Sequence, residues 1–416
     1  MGPRCSRQGL MLLGLGGARG ARDRNVVQTA MLCIAVCTLV SGCHLFDLLG
    51  TGSERSRAIW HIVGRAIGTP ATDGAEVFFN DGSHEIVAVD AETGAQRWRA
   101  ATDSTLPVPL APSCVLVAEL VACGDDDVFA FARDDGRRVW RYHATRGYGP
   151  GHFPLVSNNG IVYAGSAGIG ALGTGTMYAL DGASGVPLWV AAPLADDTNG
   201  VNITGLSVDG DIVVGAVVRG TKPLTGGVVA LDAGTGAVRW ITSFPQAAPD
   251  STSAGISTAL WQGFVLGSST DGKIYLLDRQ SGAIRSFFPG IGIAAPAPGG
   301  NSRPYGEDFR QLRISGSTLY AASFGSWLVA YDLERRVELW RAADSRGSSN
   351  ASPIVIDGDA VYIVELGGSV SAFSARAPKR NWTFGDLNST AFLGSVAVGT
   401  DRLFLSAVTG FWAIRK

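Results

Sequence analysis

Apolar runs of four or five residues, each bounded by a polar turn, recur from about residue 57 to the C-terminus. The clearest copy spans residues 228–240 and reads VVALDAGTGAVRW. A run that short, with no alternation of polar and apolar positions, predicts a strand buried on both faces. Asp232 can accept backbone N–H bonds from the turn behind it, and Gly236 supplies a position where positive φ costs nothing. The strand therefore reverses, and Trp240, eight residues beyond the aspartate, brings a ring able to bury roughly 150–250 Å².

The same phrase ends at Trp98, Trp140, Trp189, Trp240, Trp340 and Trp382, and a further copy carries Ser286 where tryptophan is expected. An eighth copy stops short: residues 411–416, FWAIRK, place Ala413 where Ala230 stands, and its tryptophan is missing. Residues 57–63, RAIWHIV, supply an orphan outer strand with Trp60 and no buried strand before it. The two ends of the chain thus complete one unit. Ahead of each phrase lies a second apolar segment, and before several of these stands a tight-turn pair such as Asn159-Gly160, Asp209-Gly210 or Asp357-Gly358. Each unit is then four antiparallel strands, and repeats of this length point to a propeller or a solenoid. The expected fold is all-β, an eight-bladed β-propeller of four-stranded antiparallel blades with the last blade closed by the N-terminal strand. A closed ring leaves only short, protected edges. A β-helix is the rival, but it has no reason to split one unit between the termini.

Composition agrees. Of 416 residues 46% are apolar, 17% are charged and 56 are glycine, which fits many short strands joined by tight turns and almost no helix. The formal charge is −2. Residues 1–42 carry five arginines against Asp23, a net +4, which leaves −6 for the remainder. A nucleic-acid partner is not expected.

Residues 30–40 form an eleven-residue apolar run behind Arg22 and Arg24, too short to span a bilayer and suited to an export signal. The run leads into VSGC, which resembles the lipobox of bacterial lipoproteins. The resemblance implies cleavage before Cys43, lipid on that residue, a signal peptide over 1–42, a lipidated tether over 43–57 and a single propeller over 58–416. His44 at the next position implies retention at the outer membrane, facing the periplasm. Translation from Met11 would still leave Arg19, Arg22 and Arg24 ahead of the apolar run. Beyond Cys43, Cys114 and Cys123 remain. They fall in consecutive apolar segments, where a cross-strand disulfide and two buried thiols are both open.

The phrase A-[LVF]-D-x-x-[TS]-G-x-x-x-W resembles the repeat of the pyrroloquinoline-quinone-type (PQQ-like) propellers, over residues 58–416. The resemblance implies that Trp60, Trp98, Trp140, Trp189, Trp240, Trp340 and Trp382 are structural, each docking its ring on the next blade. Ser286 departs from the pattern and leaves one blade interface without its dock, unless Phe287 or Phe288 fills the gap. Two functional classes share this repeat. Quinoprotein dehydrogenases bind PQQ and calcium and oxidise alcohols or sugars. The propeller lipoproteins of the outer-membrane β-barrel assembly machinery are non-enzymatic, and the lipobox, tether and single propeller are most similar to those. The chain has no adjacent Cys-Cys pair and no CxxCH haem site. Asp125, Asp126 and Asp127 offer oxygen ligands of the type hard cations want, but their place in a turn suits ordinary solvated aspartates. The expectation is therefore no catalytic residue, no metal and no cofactor, with a PQQ-dependent dehydrogenase as the alternative.

Loop lengths point to a working face. Turns after the first and third strands are short, whereas the long segments, 142–154, 166–176, 191–202, 217–227, 241–253 and 287–311, all belong to second-to-third turns and blade-to-blade connections on the opposite face. Scaffolded loops concentrate binding residues. The longest segment presents Arg303, Tyr305, Glu307, Asp308 and Arg310, a mixture suited to a protein interface. The expected partners are the membrane, through the lipid anchor, and protein, with an outer-membrane assembly complex as the candidate.

Overall fold

The computed structural model describes residues 57–104, 113–125, 127–143, 155–166, 175–194, 200–220, 224–246, 253–289, 309–323, 327–343, 353–365, 369–385, 394–407 and 409–416. These residues form eight four-stranded antiparallel sheets, each a meander of consecutive strands. Blades 1 to 7 cover residues 67–101, 114–142, 156–191, 201–243, 255–288, 309–343 and 355–384. Blade 8 takes its first three strands from residues 396–415 and its outermost strand, Ala58–Val63, from the other end of the chain. The first strands of successive blades neighbour one another all the way round, including blade 8 against blade 1, so the ring is closed.

Closure rests on the register anticipated by the repeat. Trp60 stands opposite Ala413, as Trp98 stands opposite Ala88 and Trp240 opposite Ala230. One residue beyond each such pair the register shifts. A bulge there twists the outer strand and aims the ring at the next blade. The third strands are buried along almost their full length, as in Glu85–Asp90 and Thr225–Asp232, because they are covered by blades on both sides.

The docking has a repeated chemistry. The indoles of Trp60, Trp98, Trp140, Trp189 and Trp240 donate to the carbonyls of Ala91, Arg133, Gly182, Ala233 and Arg279, the first turn residue of the following blade. Their rings lie over Gly94, Gly136, Gly185, Gly236 and Gly282, where an added Cβ would come within 2.5 to 2.8 Å of the indole. The glycine of the phrase therefore does two things: at Gly236 it accepts φ 72° and leaves room for Trp189. Trp60 is only half-buried, between Phe404, Phe411 and blade 1. The last docks differ. Trp340 is buried, but Tyr320 takes the equivalent carbonyl, that of Ala375. Trp382 is covered by the Arg57 guanidinium, 4.4 Å from the ring, which also binds the carbonyl of Lys416.

At the seam between blades 5 and 6, where Ser286 replaces tryptophan, Phe288 fills the gap and Phe287 does not. Phe288 is buried against Tyr331, 4.9 Å between centroids, together with Phe309 and Leu333. Phe287 is 51% exposed. Two loop assignments are corrected. Residues 217–219 and 225–227 are paired strand, with the ladder running out to Arg219 and Thr225, because Val217 and Val218 continue the apolar segment. Arg310 lies in the first strand of blade 6, Phe309–Ser315, beside a bulge between Phe309 and Gln311.

Candidate binding face

Backbone hydrogen bonds divide the disc into two faces. On one, the first residue of every third-to-fourth turn is tied to the first-to-second turn of its own blade, as Ala91 N–H to Ala75, Ala233 N–H to Asp211 and Leu333 N–H to Ser317. In blades 1, 3, 4 and 5 an aspartate (Asp90, Asp181, Asp232, Asp278) accepts from the N–H and hydroxyl of the threonine or serine three residues on. Blade 6 keeps the aspartate, Asp332, with backbone donors only, whereas blade 2 has Ala132 and blade 7 Ser374 at this position.

The other face gathers the second-to-third turns and the blade connections. Thr102 N–H binds the carbonyl of His84, Gly175 N–H that of Val201, and Ser253 N–H that of Leu224. The long segments leave from these points. Residues 144–154, 167–174, 195–199, 247–252 and 290–308 fall outside the described residues, and so do Arg303, Tyr305, Glu307, Asp308 and Cys43. Arg310, in its strand, is half-buried.

Three aspartates on this face, Asp125, Asp127 and Asp271, are engaged within the fold, and Asp126 lies outside the described residues. Asp125 and Asp127 are 0% and 1% exposed, which corrects the expectation of solvated aspartates. An unpaired carboxylate cannot be buried cheaply, and both have partners. Asp125 Oδ2 accepts from Thr102 Oγ1 and lies against His84 Nδ1, each at 2.7 Å; its Oδ1 is buried without a partner among the described residues. Because His84 comes from blade 1, Thr102 from the connection and Asp125 from blade 2, the carboxylate pins three segments together. Asp127 accepts from Arg141 Nε at 2.6 Å and from His143 Nδ1 at 2.9 Å, within blade 2. Two residues ahead of Asp125, Cys123 is disulfide-bonded to Cys114, directly opposite it in the adjacent strand. In blade 5, Asp271 binds Lys273 and the Tyr275 hydroxyl, and Tyr275 stacks on Phe244 at 4.4 Å. Burial first, then Asp271, push the Tyr275 phenol well above its ordinary range, so it stays a hydrogen-bond donor.

These groups brace the face; none forms a nucleophile activated by a neighbouring base. Among the described residues no three His, Cys, Asp or Glu side chains converge in a metal-binding arrangement. Cys114 and Cys123 face each other across two strands instead of forming an adjacent pair.

The sequence profile described as outer membrane protein assembly factor BamB matches residues 46–285 and 124–384. No curated protein sequence matches the chain. Among solved structures, BamB from Moraxella catarrhalis is similar with TM-score 0.53 at 18% identity, over 76% of this chain and 83% of that one. The quinohemoprotein alcohol dehydrogenase of Comamonas testosteroni gives 0.63 at 13% identity, over 86% and 76%. The computationally designed Ika8 protein gives 0.65 at 15% identity, over 86% and 100%. At these identities the likeness is one of fold, and it spans BamB, a designed protein and an alcohol dehydrogenase alike.

Proposed function

The chain belongs to the family of the outer membrane protein assembly factor BamB, and from that premise we propose that it is a non-enzymatic, protein-binding scaffold at the outer membrane, anchored by lipid on Cys43 and facing the periplasm. The observation that carries the reading is the asymmetry of the disc. One face repeats short turns blade after blade, while the long connections start and end at strand ends on the other. Its partner is a component of an outer-membrane protein assembly complex, and the 290–308 segment, with Arg303, Tyr305, Glu307 and Asp308, supplies contacts. Against the quinoprotein alternative, the buried Asp125 and Asp127 are already engaged by Thr102, His84, Arg141 and His143.

The test is affinity isolation from solubilised outer membranes. Wild type is compared with Arg303→Ala/Tyr305→Ala/Glu307→Ala and with a triple change on the short-turn face, Glu92→Ala/Asp134→Ala/Glu334→Ala. Loss of the co-isolated assembly proteins from the first variant alone supports the reading; loss from the second alone reverses the face. Mass analysis of the mature N-terminus checks the anchor, with a diacylated Cys43 expected and any other first residue contradicting it.

A further inference from the structure

Blade 3 breaks a pattern that blades 1, 4 and 5 keep on their outer rim. Where the turn carries an aspartate, a cation neutralises the carboxylate oxygen that the turn leaves over. Arg97 binds Asp90 Oδ2 at 2.7 Å, Arg239 binds Asp232 Oδ2 at 2.8 Å and Arg285 binds Asp278 Oδ2 at 3.0 Å, each from seven residues downstream. In blade 6 Arg335 stands 3.8 Å from Asp332. Blade 2 has lost both members, with Ala132 and Val139 at the two positions. Blade 6 also has a leucine, Leu339, seven residues downstream, with Arg335 standing in for the base; blade 3 keeps the acid and, among the described residues, has no such substitute. Asp181 Oδ1 is held by Ser184, but Leu188 stands where the arginine would be, and among the described residues no cation reaches Asp181. The Ser184 hydroxyl and N–H hold this carboxyl below its ordinary range, so it is ionised at neutral pH.

The strand beside it departs from those of six other blades, although the blade 8 outer strand, Ala58–Val63, likewise carries no arginine. Outer strands in blades 1, 2, 4, 5, 6 and 7 each carry at least one arginine, the sort of charge that blunts a sheet edge. The blade 3 strand, Pro187–Ala191, carries no charge at all. Val186, Leu188 and Val190 are 58%, 49% and 53% exposed. A bare carboxylate beside a row of exposed aliphatic side chains is the acceptor half of the arrangement that blades 1, 4 and 5 complete within the chain.

We propose that the outer rim of blade 3 is a docking site for a partner protein segment that presents an arginine flanked by aliphatic residues, the guanidinium taking the Asp181 oxygen left open and the aliphatics covering Leu188 and Val190. The charge of the site and the geometry of its sister blades define the occupant: a guanidinium reaches this oxygen in the same way in three other places on the ring. The site lies on the circumference and does not depend on which face of the disc binds assembly partners.

The experiment uses the full mature protein and a fluorescent peptide, acetyl-Ala-Val-Arg-Val-Ile-Thr-amide, with the Arg→Gln peptide as control, read by anisotropy. Wild type is expected to bind the arginine peptide saturably and the control peptide about fivefold more weakly, the scale of one exposed ion pair. Asp181→Asn, which keeps the Oδ1 acceptor of the turn, is expected to remove that preference. Leu188→Arg is the decisive variant, since it restores the pair within the chain; it should abolish binding while leaving the near-UV circular dichroism and Tm unchanged or improved. Hydrogen exchange on wild type should show protection by the peptide at residues 186–190. Binding retained by Leu188→Arg, equal binding of both peptides, or no saturable binding by wild type overturns the proposal.

Discussion

Arg336 occupies the turn position that glycine holds in blades 1 to 5, and it does so in the one blade whose predecessor offers Ser286 in place of the docking tryptophan. Its φ is 59°, inside the left-handed region. In blades 1 to 5 a Cβ there would run into the indole; with no indole from Ser286, a side chain is tolerated in blade 6, as Pro378 is at this position in blade 7. The two departures meet at one seam, which Phe288 and Tyr331 fill from further in.

This coupling is measurable by denaturant unfolding of a double-mutant cycle. Ser286→Trp alone is expected to destabilise by ~1–3 kcal/mol through overpacking on Arg336. Arg336→Gly alone is expected to be neutral or stabilising by up to ~1 kcal/mol, as left-handed strain is relieved against the entropy of glycine. Together they should exceed the sum of the singles by at least ~1 kcal/mol. Strict additivity would show that the two positions do not communicate.

Ring closure through Ala58–Val63 makes the N-terminal strand part of the whole fold. Removing residues 57–63 takes away Ile59, Trp60 and Ile62, which pack on Phe404 and Phe411, and exposes both Trp382 and Gly94. A loss of at least ~3 kcal/mol is expected, on the scale of deleting a large packed aromatic. It should appear as a lower midpoint for one transition; an unchanged midpoint contradicts closure.

The Asx turns set the acid limit of the fold. The Thr93 hydroxyl and N–H, with Arg97, hold Asp90 at about 2, and Arg239 with Thr235 holds Asp232 at about 2. Depressed carboxyl values stabilise the folded state above the unfolded value, near 4, and that contribution is lost as pH falls toward 2. Asp232→Asn should therefore lower Tm most above pH 4, with the gap to wild type closing between pH 4 and pH 2. A gap independent of pH would mean that ionisation of Asp232 is irrelevant to stability.

The architecture was legible because the phrase repeats: the spacing of Asp232, Gly236 and Trp240 names a strand, a turn and a dock, and the orphan Trp60 names the closing strand. What the glycine does beneath the ring was not legible, since the ring comes from the preceding blade. The buried Asp125 was missed for the same reason, its partners His84 and Thr102 standing 41 and 23 residues away on other segments. Arg310 was read as loop because the Pro- and Gly-rich run before it ends without a turn signal, and FRQLRIS has too few apolar residues to announce a strand. The cue for the blade 3 rim was in plain view in VPLWV, where Leu188 and Val190 stand in place of the arginines found in QRWR.

The claim that this propeller works by binding and not by chemistry is tested most directly by incubating the purified mature protein with PQQ, calcium, a panel of alcohols and sugars, and an artificial electron acceptor. The account predicts no acceptor reduction above the protein-free rate at any substrate concentration. Saturable, PQQ-dependent turnover would contradict it and place the chain with the quinoprotein dehydrogenases.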